Sequence, residues 1–170
     1  TAWIGLLNVC VESNGSVPTA KWQKACDLAL QEVGRKNFKS AFQSWLSLMD
    51  RPRTQRIQTW SEWSPDPNLL INDHNADILK GLVWASAKRP DKDVLRALTA
   101  LAISAYRKVP GVGPRCFRVG NACVWALGES HLSEAIGHLA VLKTRIKAGS
   151  VQKVIEKALE RAAVRAKLPK

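Results

Sequence analysis

Two stretches of this sequence carry residue types that could bind an anion. The first is VPGVGPRCF, residues 109–117, where Gly111 and Gly113 flank Val112 and Arg115 follows Pro114. Glycines let such a turn approach a phosphate closely, and the amides and dipole of the following helix N-terminus favour negative charge. Arg107, Lys108, Arg115 and Arg118 supply cations around it. The same residues also read as a tight reversal between two packed helices, with Pro114 at the first helical position. The bulky Phe117, standing where two helices would cross, favours that second reading. The second stretch is Lys153, Lys157, Arg161 and Arg165, whose four-residue spacing puts all of them on one helix face. Like charges so placed repel by roughly 0.3 kcal/mol per pair. An anionic partner would relieve that repulsion, whereas a solvated face would simply bear it. From Lys143 to Lys170 there are nine basic residues, Lys143, Arg145 and Lys147 among them, against Glu156 and Glu160.

Other chemistries find weaker support. His131, Glu134 and His138 share a helix face but depart from the spacing of a helical zinc site, and one helix offers too few ligands. The four cysteines, Cys10, Cys26, Cys116 and Cys123, form no CxxC pair. Cys116 and Cys123 on one helix would stand about 10 Å apart, beyond disulfide reach. All four are expected to be reduced core residues, as suits a cytoplasmic protein. There is no GxSxG, no P-loop and no dinucleotide-binding glycine pattern. These absences predict a protein that is not an enzyme and holds neither cofactor nor metal. No apolar run reaches the length of a membrane span, so no membrane partner is expected. A net charge of +12 instead favours nucleic acid or an acidic protein surface.

Helices must position these groups, because nearly every segment carries helical punctuation. Trp3, Leu6, Leu7, Cys10 and Val11 form an apolar stripe that stops near Asn14-Gly15. Pro18-Thr19 opens a second helix, with Trp22, Cys26, Ala29, Leu30 and Val33 on its buried face and Gly34 at its end. Phe38, Phe42, Trp45, Leu46 and Met49 mark a third. Residues 51–72 then break the rhythm as a long connection, in which Trp60 and Trp63 are expected anchors. From 73 onward five helices follow: Asp73 or Asn75 to Lys88, Lys92 to Lys108 behind an Asp91 cap, Pro114 to Leu127 with Gly128 as its stop, Ser130 to Lys147, and Ser150 to Lys167.

A shift of 41 residues lays Val83-Trp84-Ala85 on Val124-Trp125-Ala126, and Leu95, Leu98 and Leu101 on Ile136, Leu139 and Leu142. A helix pair recurring at that period predicts an all-α fold, a HEAT- or armadillo-like stack of antiparallel helix pairs forming an α-α superhelix. One domain spans 1–170: first helices to 50, connection 51–72, repeated pairs 73–170. The stretches NADILKGLVWASA (75–87), AYRKVPGVGPRCFRVGNACVWALG (105–128) and LKTRIKAGSVQKVIEKALERAAVRA (142–166) resemble a bacterial domain of unknown function. That domain occurs in large proteins related to the molybdate metabolism regulator, often beside a WGR domain. WIGLLNVC and FQSWL resemble its preceding segment. The resemblance implies a helical region within a longer polypeptide, whose other domains become expected partners, and it carries no catalytic residues. Thr1 in place of a start methionine agrees with that expectation.

Overall fold

The computed structural model describes residues 1–58 and 65–166. Eight α-helices lie among them: α1 Ala2–Val11, α2 Ala20–Val33, α3 Arg35–Leu46, α4 Asp73–Ser86, α5 Lys92–Tyr106, α6 Phe117–Glu129, α7 Glu134–Arg145 and α8 Gly149–Arg165. The chain is therefore mostly helical, as its periodicity predicts. α1, α4, α6 and α8 are neighbours in that order, while α2, α3, α5 and α7 form a second row against them. The 41-residue register has a direct counterpart in this packing. Trp84 on α4 and Trp125 on α6 meet edge to face at 6.2 Å, and Leu98 and Leu139 are buried on adjacent α5 and α7.

Local signals set several boundaries. The Thr19 hydroxyl accepts from the Trp22 amide and opens α2, and Gly34 at φ +81° closes it. Asp91 accepts from the amides of Asp93 and Val94 to open α5. Elsewhere the expected boundaries move. Asn72, not Asp73 or Asn75, caps α4 by accepting from the His74 amide. α5 ends at Tyr106, because Lys108–Val109 (β1) pairs antiparallel with Gly113–Pro114 (β2). Pro114 is thus in a hairpin strand, and α6 begins three residues later. Gly128 does not stop α6: a Cβ there would lie 3.1 Å from the Ala158 Cβ, so it lets α8 pack closely. Ser130 ends α6, and its hydroxyl accepts from the Leu132 amide, while α7 starts at Glu134. Gly149 and Ser150 belong to α8, which Ala148 precedes.

The core is a row of indoles and aliphatic side chains. Trp84, 1% exposed, is flanked edge to face by Trp22 at 5.3 Å as well as by Trp125. Such aromatic pairs add about 1 kcal/mol each beyond burial, so three of the seven tryptophans serve one seam. The Trp22 indole N–H donates to the Val9 carbonyl at 2.7 Å, joining α2 to α1. α4 crosses α1 with almost no space between their backbones. A Cβ on Gly81 would stand 2.4 Å from the Cys10 Cα, and one on Gly120 would enter the Tyr106 ring at 2.6 Å. The connection after α3 is knitted down as well. Asp66 caps a 3-10 turn at Pro67–Leu69, and the Asn68 side chain exchanges hydrogen bonds with both backbone groups of Ile57. Trp60 and Trp63 lie outside the described residues.

All four thiols are free and buried. Burial pushes Cys26 up to about 12 from an ordinary 9.0, and raises Cys10, Cys116 and Cys123 for the same reason. Two outcomes follow from this packing. Gly81→Ala forces α4 off α1 and costs about 3 kcal/mol in urea unfolding. The unfolded chain releases its thiol protons near pH 9.0 and the folded chain keeps them, so this stability is complete below that pH. Above it, unfolding titrations will show stability falling progressively as pH rises, until the folded thiols ionise. Stability that stays flat from pH 8 to about 10.5 would contradict this burial.

Candidate functional site

The glycine hairpin is built from ordinary turn chemistry. Pro110 and Gly111 hold the two middle positions, Gly111 has φ +75°, and the Val112 amide donates to the Val109 carbonyl at 3.1 Å. This is the type II pattern, in which only glycine takes the third position without strain. Gly113, at φ +107°, then enters β2. The amides beyond it are already engaged: Arg115 donates to the Arg107 carbonyl at 2.9 Å and Cys116 to the Ala105 carbonyl at 2.8 Å. Amides placed to hold a phosphate at the start of the next helix instead close the hairpin onto α5.

Arg115 does not face outward as a phosphate ligand would. Its side chain is 9% exposed, and its guanidinium donates to Asp50 at 2.9 Å, the Ser104 hydroxyl at 2.7 Å, and the carbonyls of Met49 at 2.7 Å and Leu69 at 3.1 Å. Burial and the nearby Arg107 hold its pKa below the usual arginine value, with Asp50 opposing them. The side chain thereby ties both ends of the long connection to α5 and α6. Arg118 is also committed: it pairs with Asp77 at 2.7 Å and Asp73 at 2.5 Å on α4, and the hydrogen bond to Asp77 raises its pKa.

The remaining hairpin cations find company that the linear sequence does not display. Arg107 and Lys108 line an open groove of about 720 Å³ together with Arg145 and Lys147 from the end of α7. Gly113, Pro114 and Ile146 form part of its floor. Asp50 is its one carboxylate; it lies 3.7 Å from Arg107 and is shared with Arg115. α8 begins beside the groove, and Ala148 in the capping position provides no side-chain acceptor for its first amides. The signal for this meeting was in the repeat. The 41-residue shift lays Ser104 on Arg145 and Tyr106 on Lys147, so the ends of α5 and α7 are equivalent. Adjacent equivalent helices bring their C-terminal ends to the same edge.

The α8 stripe is exposed along its length, but half of it is paired. Glu129 at the end of α6 takes Arg161 at 3.8 Å and also binds Arg165. Lys153 and Lys157 have no ion pair among the described residues. Lys143 is held by Glu156 at 3.1 Å. The histidine cluster disperses: His138 Nδ1 sits 2.9 Å from the Thr99 hydroxyl, and Glu134 pairs with Lys92 at 3.3 Å.

Searches against protein-family models, curated proteins and solved structures find no match to this chain. The structural role of Arg115 has a clear consequence. Arg115→Lys retains the charge but loses the planar fork that reaches four acceptors. It is expected to lower the unfolding free energy by about 2 kcal/mol, with Arg115→Ala lower still. Arg107→Ala, removing a solvated cation, changes it by under about 0.5 kcal/mol.

Proposed function

We propose that this chain is a non-enzymatic helical scaffold, a HEAT- or armadillo-like stack of helix pairs, whose basic groove binds the phosphate backbone of a nucleic acid. The observation that carries this reading is the convergence of Arg107, Lys108, Arg145 and Lys147 on one groove with a single carboxylate. Four cations at such spacing attract a polyanion more strongly than the same cations dispersed, because each feels the field of the others. The +12 net charge adds long-range attraction. Lys153 and Lys157 extend the basic surface along α8. Arg118, Arg161 and Arg165 contribute to the field while remaining paired with carboxylates, and Arg115 acts by holding the hairpin in place.

Backbone binding of this kind reads charge and spacing, not base sequence. A second reading is docking against other parts of a longer chain. It is favoured by Ile4 and Leu28, 58% and 57% exposed on the first two helices, neither of which lines the groove. The two readings are compatible, since they use different residues.

Anisotropy titrations of labelled duplex and single-stranded DNA and RNA test the nucleic-acid reading. If four phosphates are neutralised, affinity falls about 100-fold between about 50 and 200 mM salt. Lys108→Glu and Lys147→Glu each weaken binding to every sequence alike and flatten the salt slope by about one unit. Absence of binding to any of these polymers at low salt would overturn the nucleic-acid reading.

A further inference from the structure

A second concavity lies away from the basic groove, between α4 and α6. It is an open cleft of about 570 Å³, bounded by Gly15 and Ser16 of the α1–α2 link, Leu70 and Ile71, and the hairpin tip at Val112. Lys80 of α4 lines it yet is only 7% exposed, an unusual degree of cover for a lysine side chain. Its nitrogen stands 4.7 Å from the centroid of the Trp84 indole. Among the described residues it has neither an ion pair nor a hydrogen bond. Asp77, one turn earlier on the same helix, gives its carboxylate to Arg118 instead. Desolvation lowers the pKa of Lys80, with Asp77 opposing and Arg118 reinforcing that shift.

The Lys80 stem is covered while its ammonium stays open to the cleft without a protein acceptor among the described residues, so an incoming acceptor meets an unengaged cation there. The neighbouring groups are donors as well. The Asn121 carbonyl oxygen accepts from the Tyr106 hydroxyl at 2.6 Å, which orients the amide so that its NH₂ remains to donate. Arg115 and Arg118 also line the cleft, Arg115 held by four acceptors and Arg118 by Asp73 and Asp77. Asp73 at the rim is bound to Arg118. The walls are apolar: the Trp84 ring, the 40% exposed ring of Phe117, and aliphatic side chains of Leu70, Ile71 and Val112.

We propose that this cleft binds a small organic monocarboxylate with a planar apolar body, its carboxylate on the Lys80 ammonium and its body against the exposed ring of Phe117 and the side chains of Leu70 and Ile71. The volume is that of a small-molecule site, with apolar walls and a few polar groups that fix orientation. A carboxylate completes the coordination of Lys80, while the indole beneath continues to stabilise the cation. The site is separate from the groove between the hairpin and α7.

Ligand-observed NMR and calorimetry with 2-naphthoate, and with its neutral amide as a control, test the assignment. Saturable binding of naphthoate is expected, at least about tenfold tighter than the amide. Lys80→Met should remove that preference, bringing naphthoate to the amide's affinity, while circular dichroism and the melting transition show a folded protein. Should Lys80→Met fail to fold, Phe117→Ala, at an exposed ring, provides the second reading through at least threefold weaker naphthoate binding with the amide preference intact. Failure of the wild-type protein to bind naphthoate saturably, or equally tight binding by Lys80→Met, would overturn the proposal. So would a parallel loss of oligonucleotide and naphthoate binding in a folded Lys80→Met protein, because that outcome would merge the two sites.

Discussion

The architecture around the groove depends on one guanidinium. Arg115 reaches Asp50 and Met49 just after α3, Leu69 just before α4, and Ser104 within α5. These partners lie up to 66 positions away in sequence, so the bonds close large loops whose ordering entropy must be overcome by favourable contacts. Arginine suits the position because its planar fork serves several acceptors at once and it never loses its charge. Ser104 donates to the same Asp50 oxygen at 2.6 Å, which makes the cluster a connected network in which each member satisfies another. The hairpin amides of Arg115 and Cys116 bond back to α5 under this clamp. The glycine turn is consequently held in one place, and Arg107 and Lys108 enter the groove from a rigid base.

The cations divide according to what lies opposite them. Arg115 and Arg118 meet carboxylates from distant segments, and Arg161 and Arg165 meet Glu129, so these four reinforce the fold or the surface network. Lys108, Arg145 and Lys147 meet no carboxylate among the described residues. Exposed pairs such as Arg161 with Glu129 contribute little to stability, yet they locally cancel the field that a polyanion would feel. The electrostatic focus therefore falls at the C-terminal ends of α5 and α7, not along the full α8 stripe. Net charge alone cannot express this distinction.

Tryptophan abundance has an equally specific cause. Trp22, Trp84 and Trp125 link α2, α4 and α6 through edge-to-face contacts, and Trp3 meets Trp45 in the same geometry at 5.1 Å. Large rings span the seams between helices, while Gly81 lets the α1 backbone approach α4 and Gly120 makes room for the Tyr106 ring. Trp84 also forms a wall of the cleft beneath Lys80. One repeated sequence position thus serves both the packing between helices and the shape of a concave surface.

Much of the helical order was legible in the sequence because helix formation is governed by local periodicity and end groups. Thr19, Gly34 and Asp91 punctuate as their chemistry demands, and the buried Leu98 and Leu139 occupy equivalent positions on adjacent helices. Boundaries moved where tertiary contacts outweighed a local signal, as at Gly128, which closes against Ala158 inside a helix instead of ending it. The hairpin escaped periodicity because two paired residues on each side are too few to alternate. Composition and spacing by themselves determined a basic, mostly helical chain with an internal repeat. Only the tertiary structure decided which cations are available, because that depends on carboxylates and carbonyls that are remote in sequence. It made Arg115 a clamp, gathered Arg107, Lys108, Arg145 and Lys147 into a groove, and set Lys80 in a cleft with no acceptor among the described residues.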